Sequence, residues 1–203
     1  MSLTYERIPK FPKPGYKVNV HWRSIERTLE GYGDPRSGVV LDLNPDYQRA
    51  HVWTDSQRTS YIEYILKGGE ESQTIFFNCP DWPNSTEGAL FELVDGKQRL
   101  ESVRKFLRSE VPVFEDQLFR DFSKEDQGII LYRHNLEFRI AAFHTRLDVL
   151  DWYLSINTGG TPHTPEELDR VRMLRSAELV KMAKATDSRP QNTNTSGEEV
   201  SSL

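Results

Sequence analysis

The run A-L-F-E-L-V (Ala89 to Val94) is short and apolar, and it closes at once on Asp95-Gly96. Beyond it Leu100, Val103, Phe106 and Leu107 recur at helical spacing. A strand-length run, a breaker and a helical period in direct succession predict a strand–turn–helix step. A chain holding such a step must bury one face of a sheet under a helix. The same order appears upstream. V-V-L-D-L (Val39 to Leu43) is β-branched and strand-like, and Asn44-Pro45-Asp46 breaks it. Thr54-D-S-Gln57 then forms a capping box that opens a helix with Tyr61, Ile62, Ile65 and Leu66 on one face, ending at Gly68-Gly69.

The remaining segments complete an α+β reading. V-N-V-H before Trp22 predicts a short strand, and Ser24 caps a helix that ends at Gly31 or Gly33. T-I-F-F from Thr74 is a buried strand, and L-E-F-R-I-A-A-F from Leu136 is another. Ser123-K-E-D starts a helix through Ile129, Ile130 and Tyr132, and Leu147 to Ile156 is amphipathic and closed by Asn157-T-G-G. Thr164-P-E-Glu167 is a second capping box, with proline at the favoured first position of a helix running to about Lys184. Residues 1–16, with Pro9, Pro12 and Pro14 among lysines, read as an extended arm. Residues 17–185 read as one domain with a small mixed sheet and a helical C-terminal half, and 186–203 as a disordered polar tail.

Composition narrows the function classes. Twenty-six basic and 31 acidic residues leave a net charge of −5, so bulk charge does not hold the chain on nucleic acid, although a local basic site can. A hydrophobic share of 36% predicts a modest core with polar excursions, while four Trp, eight Tyr and ten Phe argue against disorder. The single Cys79 excludes an internal disulfide and a cysteine-cluster zinc site. No apolar run approaches the roughly 20 residues that cross a bilayer, and no signal peptide opens the chain. The expectation is a cytoplasmic protein without a membrane partner.

Three segments carry candidate chemistry. In Asp95-Gly96-Lys97-Gln98-Arg99 a helix start supplies free N–H groups and partial positive charge, which favour an anion. Gly96 admits close backbone approach, Lys97 adds a point charge, and Arg99 adds a planar fork for phosphate oxygens. Asp95 can serve a metal or water, and Gln98 a base or a hydrolytic water. The plainer reading is a solvated basic turn, and the residues alone leave both open. The second segment is Asn44-P-D-Tyr47-Gln48-Arg49-A-His51-V-Trp53; there Gln48 and Arg49 can converge on the same sheet edge, or Tyr47 and Trp53 merely staple the helix start. The third, Ile156-Asn157-Thr158-Gly159-Gly160, is by itself no more than a helix C-cap.

Taken together, N-P-D-Y-Q-R-x-x-V-W, L-V-D-G-K-Q-R-L and I-N-T-G-G resemble the N-terminal domain of GmrSD-type modification-dependent restriction endonucleases, a member of the wider ParB/sulfiredoxin-like group. The boxes stand in the family's order over roughly Val39 to Leu174. Lys97 occupies a position where glutamine is commoner. The resemblance implies a ParB/sulfiredoxin-like fold. It also implies binding and hydrolysis of a nucleoside triphosphate with Mg²⁺, coupled to cutting DNA in phage defence. Carried onto this chain it points to Asp95, Gln98 and Arg99 for catalysis, with Asp95 on the metal. Gly96, Lys97, Gln48, Arg49, Asn157 and Gly159 would hold the nucleotide.

The family's separate H-N-H nuclease domain has no counterpart in these residues, whose five histidines are scattered. The phosphate-loop cysteine of sulfiredoxin-type reductases is missing too, and Cys79 reads as a half-buried, unreactive thiol. The nuclease can therefore be a separate chain. Alternatively, the domain can be a non-enzymatic partner-binding module or an inhibitor of a defence complex. A last reading takes Pro80-Asp81 with Asp95-x-Lys97 as a metal-dependent DNA nuclease, two carboxylates holding the ion and the lysine placing water.

Overall fold

Alternation along the strands divides this protein between two cores. The computed structural model describes residues 15–34, 36, 38–48, 53–84, 88–158 and 165–187. Among them β1 (Tyr16–His21), β2 (Val40–Asp42), β3 (Thr74–Asn78), β4 (Leu90–Asp95) and β5 (Asn135–Ala141) form one mixed sheet in the order β1-β5-β3-β4-β2. Six α-helices accompany it: α1 (Ile25–Tyr32), α2 (Asp55–Leu66), α3 (Lys97–Leu107), α4 (Lys124–Arg133), α5 (Arg146–Thr158) and α6 (Pro165–Asp187). The class is α+β, as the sequence predicts. No helix among the described residues is long and apolar enough to cross a membrane.

One sheet face carries Ile75, Phe77, Phe91, Leu93, Leu136, Phe138 and Ile140 under α1 to α4, which contribute Ile25, Leu29, Ile62, Ile65, Val103, Phe106 and Ile130. The other face carries Val94 and Ala141 under α5, with Val149, Leu150, Trp152 and Tyr153, and under Val171 of α6. Large aromatic side chains anchor the core. Trp22, Phe77, Phe91, Phe106 and Phe138 are fully enclosed, each worth about 1.5–3 kcal/mol of apolar burial. The polar excursions are present as well, because Gln48, Arg58, Asn78, Glu92, Ser102 and Asn157 are buried among them.

Two strand relationships position the site. β2 and β4 run parallel, with Val40 opposite Leu90 and Asp42 opposite Glu92, so the turns leaving their C-terminal ends open on one sheet edge. β3 and β4 run antiparallel, with Phe76 opposite Asp95 and Asn78 opposite Glu92.

Local expectations hold where short-range chemistry decides. Thr54 and Gln57 make both bonds of the capping box on α2. Ser123 caps α4 by accepting from the Asp126 N–H. Ser24 does not cap α1: the chain enters that helix through a 3₁₀ turn, Trp22–Ser24, pinned by the buried Trp22. β1 begins at Tyr16, earlier than the V-N-V-H pattern predicts, because β5 offers it a full antiparallel partner. The second capping box rests on Thr164, which lies outside the described residues, as do the arm up to residue 14 and the tail from 188.

Candidate functional site

Asp95 is the last residue of β4, and Gly96 turns the chain into α3 with φ of +96°. A Cβ at Gly96 would stand 2.8 Å from Ile75 Cδ1 and 3.1 Å from both Ile75 Cα and the Thr74 carbonyl oxygen. Glycine is therefore required twice, by the left-handed backbone and by contact with β3. No side chain caps α3, and its ladder begins with the Leu100 N–H donating to the Gly96 carbonyl at 2.9 Å. The N–H groups of Lys97, Gln98 and Arg99 precede that first intrahelical bond. The first turn of α3 holds no acid but two bases, the reverse of what a helix dipole favours. Arg99 Nη2 donates to Asp95 Oδ2 at 2.5 Å, closing an ion pair across the turn with both side chains about one-fifth exposed.

The segment after β2 reaches the same edge. Gln48 is buried, and its Nε2 donates to the carbonyls of Leu93 at 2.8 Å and Val94 at 2.7 Å. On the far side of the 49–52 segment, the Trp53 N–H donates to Gln98 Oε1 at 3.0 Å. The two boxes are thus joined by glutamines in both directions, and both amide N–H groups of Gln48 are committed to β4. Asn157 lies buried in the last turn of α5, donating to the Tyr153 carbonyl at 2.7 Å. One turn earlier, Tyr153 meets the Tyr47 ring edge-on at 5.4 Å. Of the residues singled out in sequence, Gln48, Asp95, Gly96, Lys97, Gln98 and Arg99 come together at this edge. Asn157 is instead bonded within α5, one turn beyond Tyr153, and Arg49 and Gly159 lie outside the described residues.

Three supporting residues, Arg170, Glu92 and Arg58, belong to none of the sequence motifs. Arg170 of α6 donates to the carbonyls of Asp46 (2.6 Å), Tyr47 (3.0 Å) and Gln48 (2.7 Å), clamping the turn before the site. Tyr47 donates its hydroxyl to Glu92 Oε2 at 2.8 Å, and Asn78 Nδ2 approaches Oε1 at 3.5 Å. Burial pushes the Glu92 carboxyl above the ordinary range, against those two bonds and the attraction of Arg146. Burial and neighbouring Glu92 push the Tyr47 phenol far up as well, so it remains a donor. Arg58, almost wholly buried in the first turns of α2, donates from Nη1 to the exposed Asp55 at 3.1 Å and leaves Nε without a partner.

The metal-nuclease reading does not survive the fold. β3 and β4 are antiparallel, so the turns that follow them lie at opposite ends of the pair. Asp95 stands beside Phe76, whereas the chain reaches Asp81 only after passing Asn78 and turning beyond the far end of β3. Asp81 faces His144 Nε2 at 3.5 Å, and Asp95 faces Arg99. Two carboxylates so placed cannot share an ion. Among the described residues no group of three or more His, Cys, Asp or Glu is placed to hold a metal. Cys79 is fully buried rather than half-buried.

The family model for "GmrSD restriction endonuclease, N-terminal domain" matches residues 29–174, most of the chain. No curated protein and no solved structure matches it.

Proposed function

The chain belongs to the family of GmrSD restriction endonuclease N-terminal domains, and on that footing we propose that it binds a nucleoside triphosphate with Mg²⁺ at the Asp95–Arg99 turn. The carrying observation is the start of α3. Two cations sit at the positive end of an uncapped helix, an arrangement the helix dipole disfavours by about 0.3–1 kcal/mol per charge and that the Asp95 carboxylate offsets at Arg99 alone. A polyphosphate removes that cost. It accepts hydrogen bonds from the Lys97, Gln98 and Arg99 N–H groups, while Gly96 leaves the backbone bare enough for approach.

Each residue then has a defined task. Lys97 supplies a mobile point charge. Arg99, held by Asp95 in the free protein, turns its remaining N–H groups to phosphate oxygens. Gln98 and Gln48 are positioning residues that lock the facing loop against the turn. A single carboxylate suits Mg²⁺, which keeps several waters and is otherwise held by substrate phosphates, so Asp95 would bind an ion delivered with the nucleotide. Bound Mg²⁺ neutralises phosphate charge and so favours cleavage of the terminal phosphoanhydride by water.

The family ties the chain to restriction of DNA in defence. In the proposed arrangement the nucleotide domain acts beside a nuclease supplied elsewhere, DNA being that partner's substrate. The ParB/sulfiredoxin-like assignment belongs to the same proposal and is supported by the glycine-turned strand–helix step at the sheet edge.

The test is isothermal titration of the four ribonucleoside triphosphates with Mg²⁺ into wild type and Arg99→Ala, followed by a phosphate-release assay. Micromolar binding to the wild type that is lost in the variant is expected. Absence of binding by all four nucleotides would overturn the reading and leave a partner-binding module.

A further inference from the structure

Helix α6 presents two different faces. One packs on α5: Val171 is buried, Leu174 joins the second core, and Arg175 donates to Asp151. On the opposite face Glu166, Asp169, Met173, Ala177, Val180 and Lys184 recur at intervals of three and four, which aligns them in one stripe. All six are exposed, Met173 at 73% and Val180 at 54%. The stripe has an order: acids at the N-terminal end, apolar and small residues in the middle, a base at the C-terminal end with Lys181 beside it.

That order is self-complementary when reversed. A two-fold axis at the level of Arg175 sets Glu166 opposite Lys184 and Asp169 opposite Lys181, and lays Met173 over Ala177 and Val180 of a second helix. Ala177 has no side chain beyond Cβ and lets the helices approach. A parallel pairing would instead set acid against acid and base against base. We infer that α6 is a homodimerisation element that pairs antiparallel with α6 of a second copy of this chain. Each residue i meets j while j meets i, as an isologous contact requires.

Two ion pairs within the helix that compete, Asp169 with Arg172 at 2.7 Å and Lys181 with Glu178 at 3.7 Å, each have a solvent-exposed partner and are weak enough to be exchanged. The stripe spans 18 steps along the axis, roughly 27 Å. A contact of one helix pair falls below the size of a permanent interface, so the dimer is reversible and concentration-dependent. Its charged ends make it weaken as salt rises.

Sedimentation equilibrium of the full chain between about 5 and about 500 µM tests this, a span that brackets weak association. The wild-type mass is expected to rise from 23.6 kDa toward twice that value. Glu166→Lys with Asp169→Lys makes the stripe basic at both ends, and Lys181→Glu with Lys184→Glu makes it acidic at both ends. Each double variant alone should associate at least about tenfold more weakly, and an equimolar mixture should restore the dimer. Met173→Asp, at a largely exposed position, should remain monomeric with unchanged circular dichroism. A wild type that stays at single-copy mass overturns the inference, as do variants that associate like wild type or a mixture that does not recover.

Discussion

The starts of α2 and α3 lie side by side, joined by the bond from the Trp53 N–H to Gln98, yet they are finished in opposite ways. α2 is closed by its own side chains. Thr54 Oγ1 accepts from the Gln57 N–H at 3.3 Å, Gln57 Oε1 accepts from the Thr54 N–H at 2.9 Å, and Asp55 places an acid in the first turn. α3 has glycine where a capping oxygen would stand, bases where acids are favoured, and its backbone pressed against β3. A helix start completed in this way is architecture. A neighbouring one left open, with the wrong charge for its dipole, is what the proposed polyphosphate site requires.

The contrast can be broken most severely at Gly96. Gly96→Ala forces a side chain into left-handed backbone and into contacts of 2.8–3.1 Å, two of them with β3 backbone. A loss of about 3 kcal/mol or more is expected, read as a fall in the urea midpoint. Gln48→Ala comes next. It strands the carbonyls of Leu93 and Val94, which should cost about 2–3 kcal/mol in the same measurement.

Smaller effects separate the two helix starts. Thr54→Ala opens α2 and should cost about 1 kcal/mol while leaving nucleotide affinity unchanged. Lys97→Glu does the reverse at α3: an acid at the helix start should add about 0.3–1 kcal/mol of stability while abolishing nucleotide binding. A variant that gains stability and loses its ligand is the signature of a site, and titration with denaturation on one sample checks both.

The smallest effect concerns Glu92. Its carboxyl lies above the ordinary 4.5 in the folded protein because burial disfavours the charge. The folded state therefore holds that proton more tightly than the unfolded one. The stability it contributes is complete below 4.5 and is lost as pH rises through the raised value. Glu92→Gln keeps an acceptor for the Tyr47 hydroxyl but does not titrate. Its thermal midpoint should thus fall less than that of wild type between mildly acidic and neutral pH.

Much of the fold was readable because local patterns encode it. The strands around Phe77, Leu93 and Phe138 announce themselves by apolar or alternating runs, and the α2 cap by two residues three apart. The meeting of Gln48 with the Asp95–Arg99 turn at one edge was readable only as a possibility. What lay beyond reach depends on contacts far apart in sequence. Gln48 binds β4 from 45 residues away, and Arg170 reaches the Gln48 carbonyl from 122. No spacing marks either partner. The paired-aspartate nuclease failed for a related reason: chain spacing between Asp81 and Asp95 says nothing about strand direction, and the antiparallel register sends them apart. Ser24 looked like a cap because its type is right, but the burial of Trp22 one turn earlier had already set the helix start.

The central claim is that the open start of α3, and not the closed start of α2, receives polyphosphate. Amide chemical shifts of the full chain, followed through a titration with a magnesium nucleoside triphosphate, read both places at once. The account predicts that Gly96, Lys97, Gln98 and Arg99 shift first and furthest while Asp55 to Arg58 stay nearly still. Shifts centred on α2, or none at either start, would contradict it.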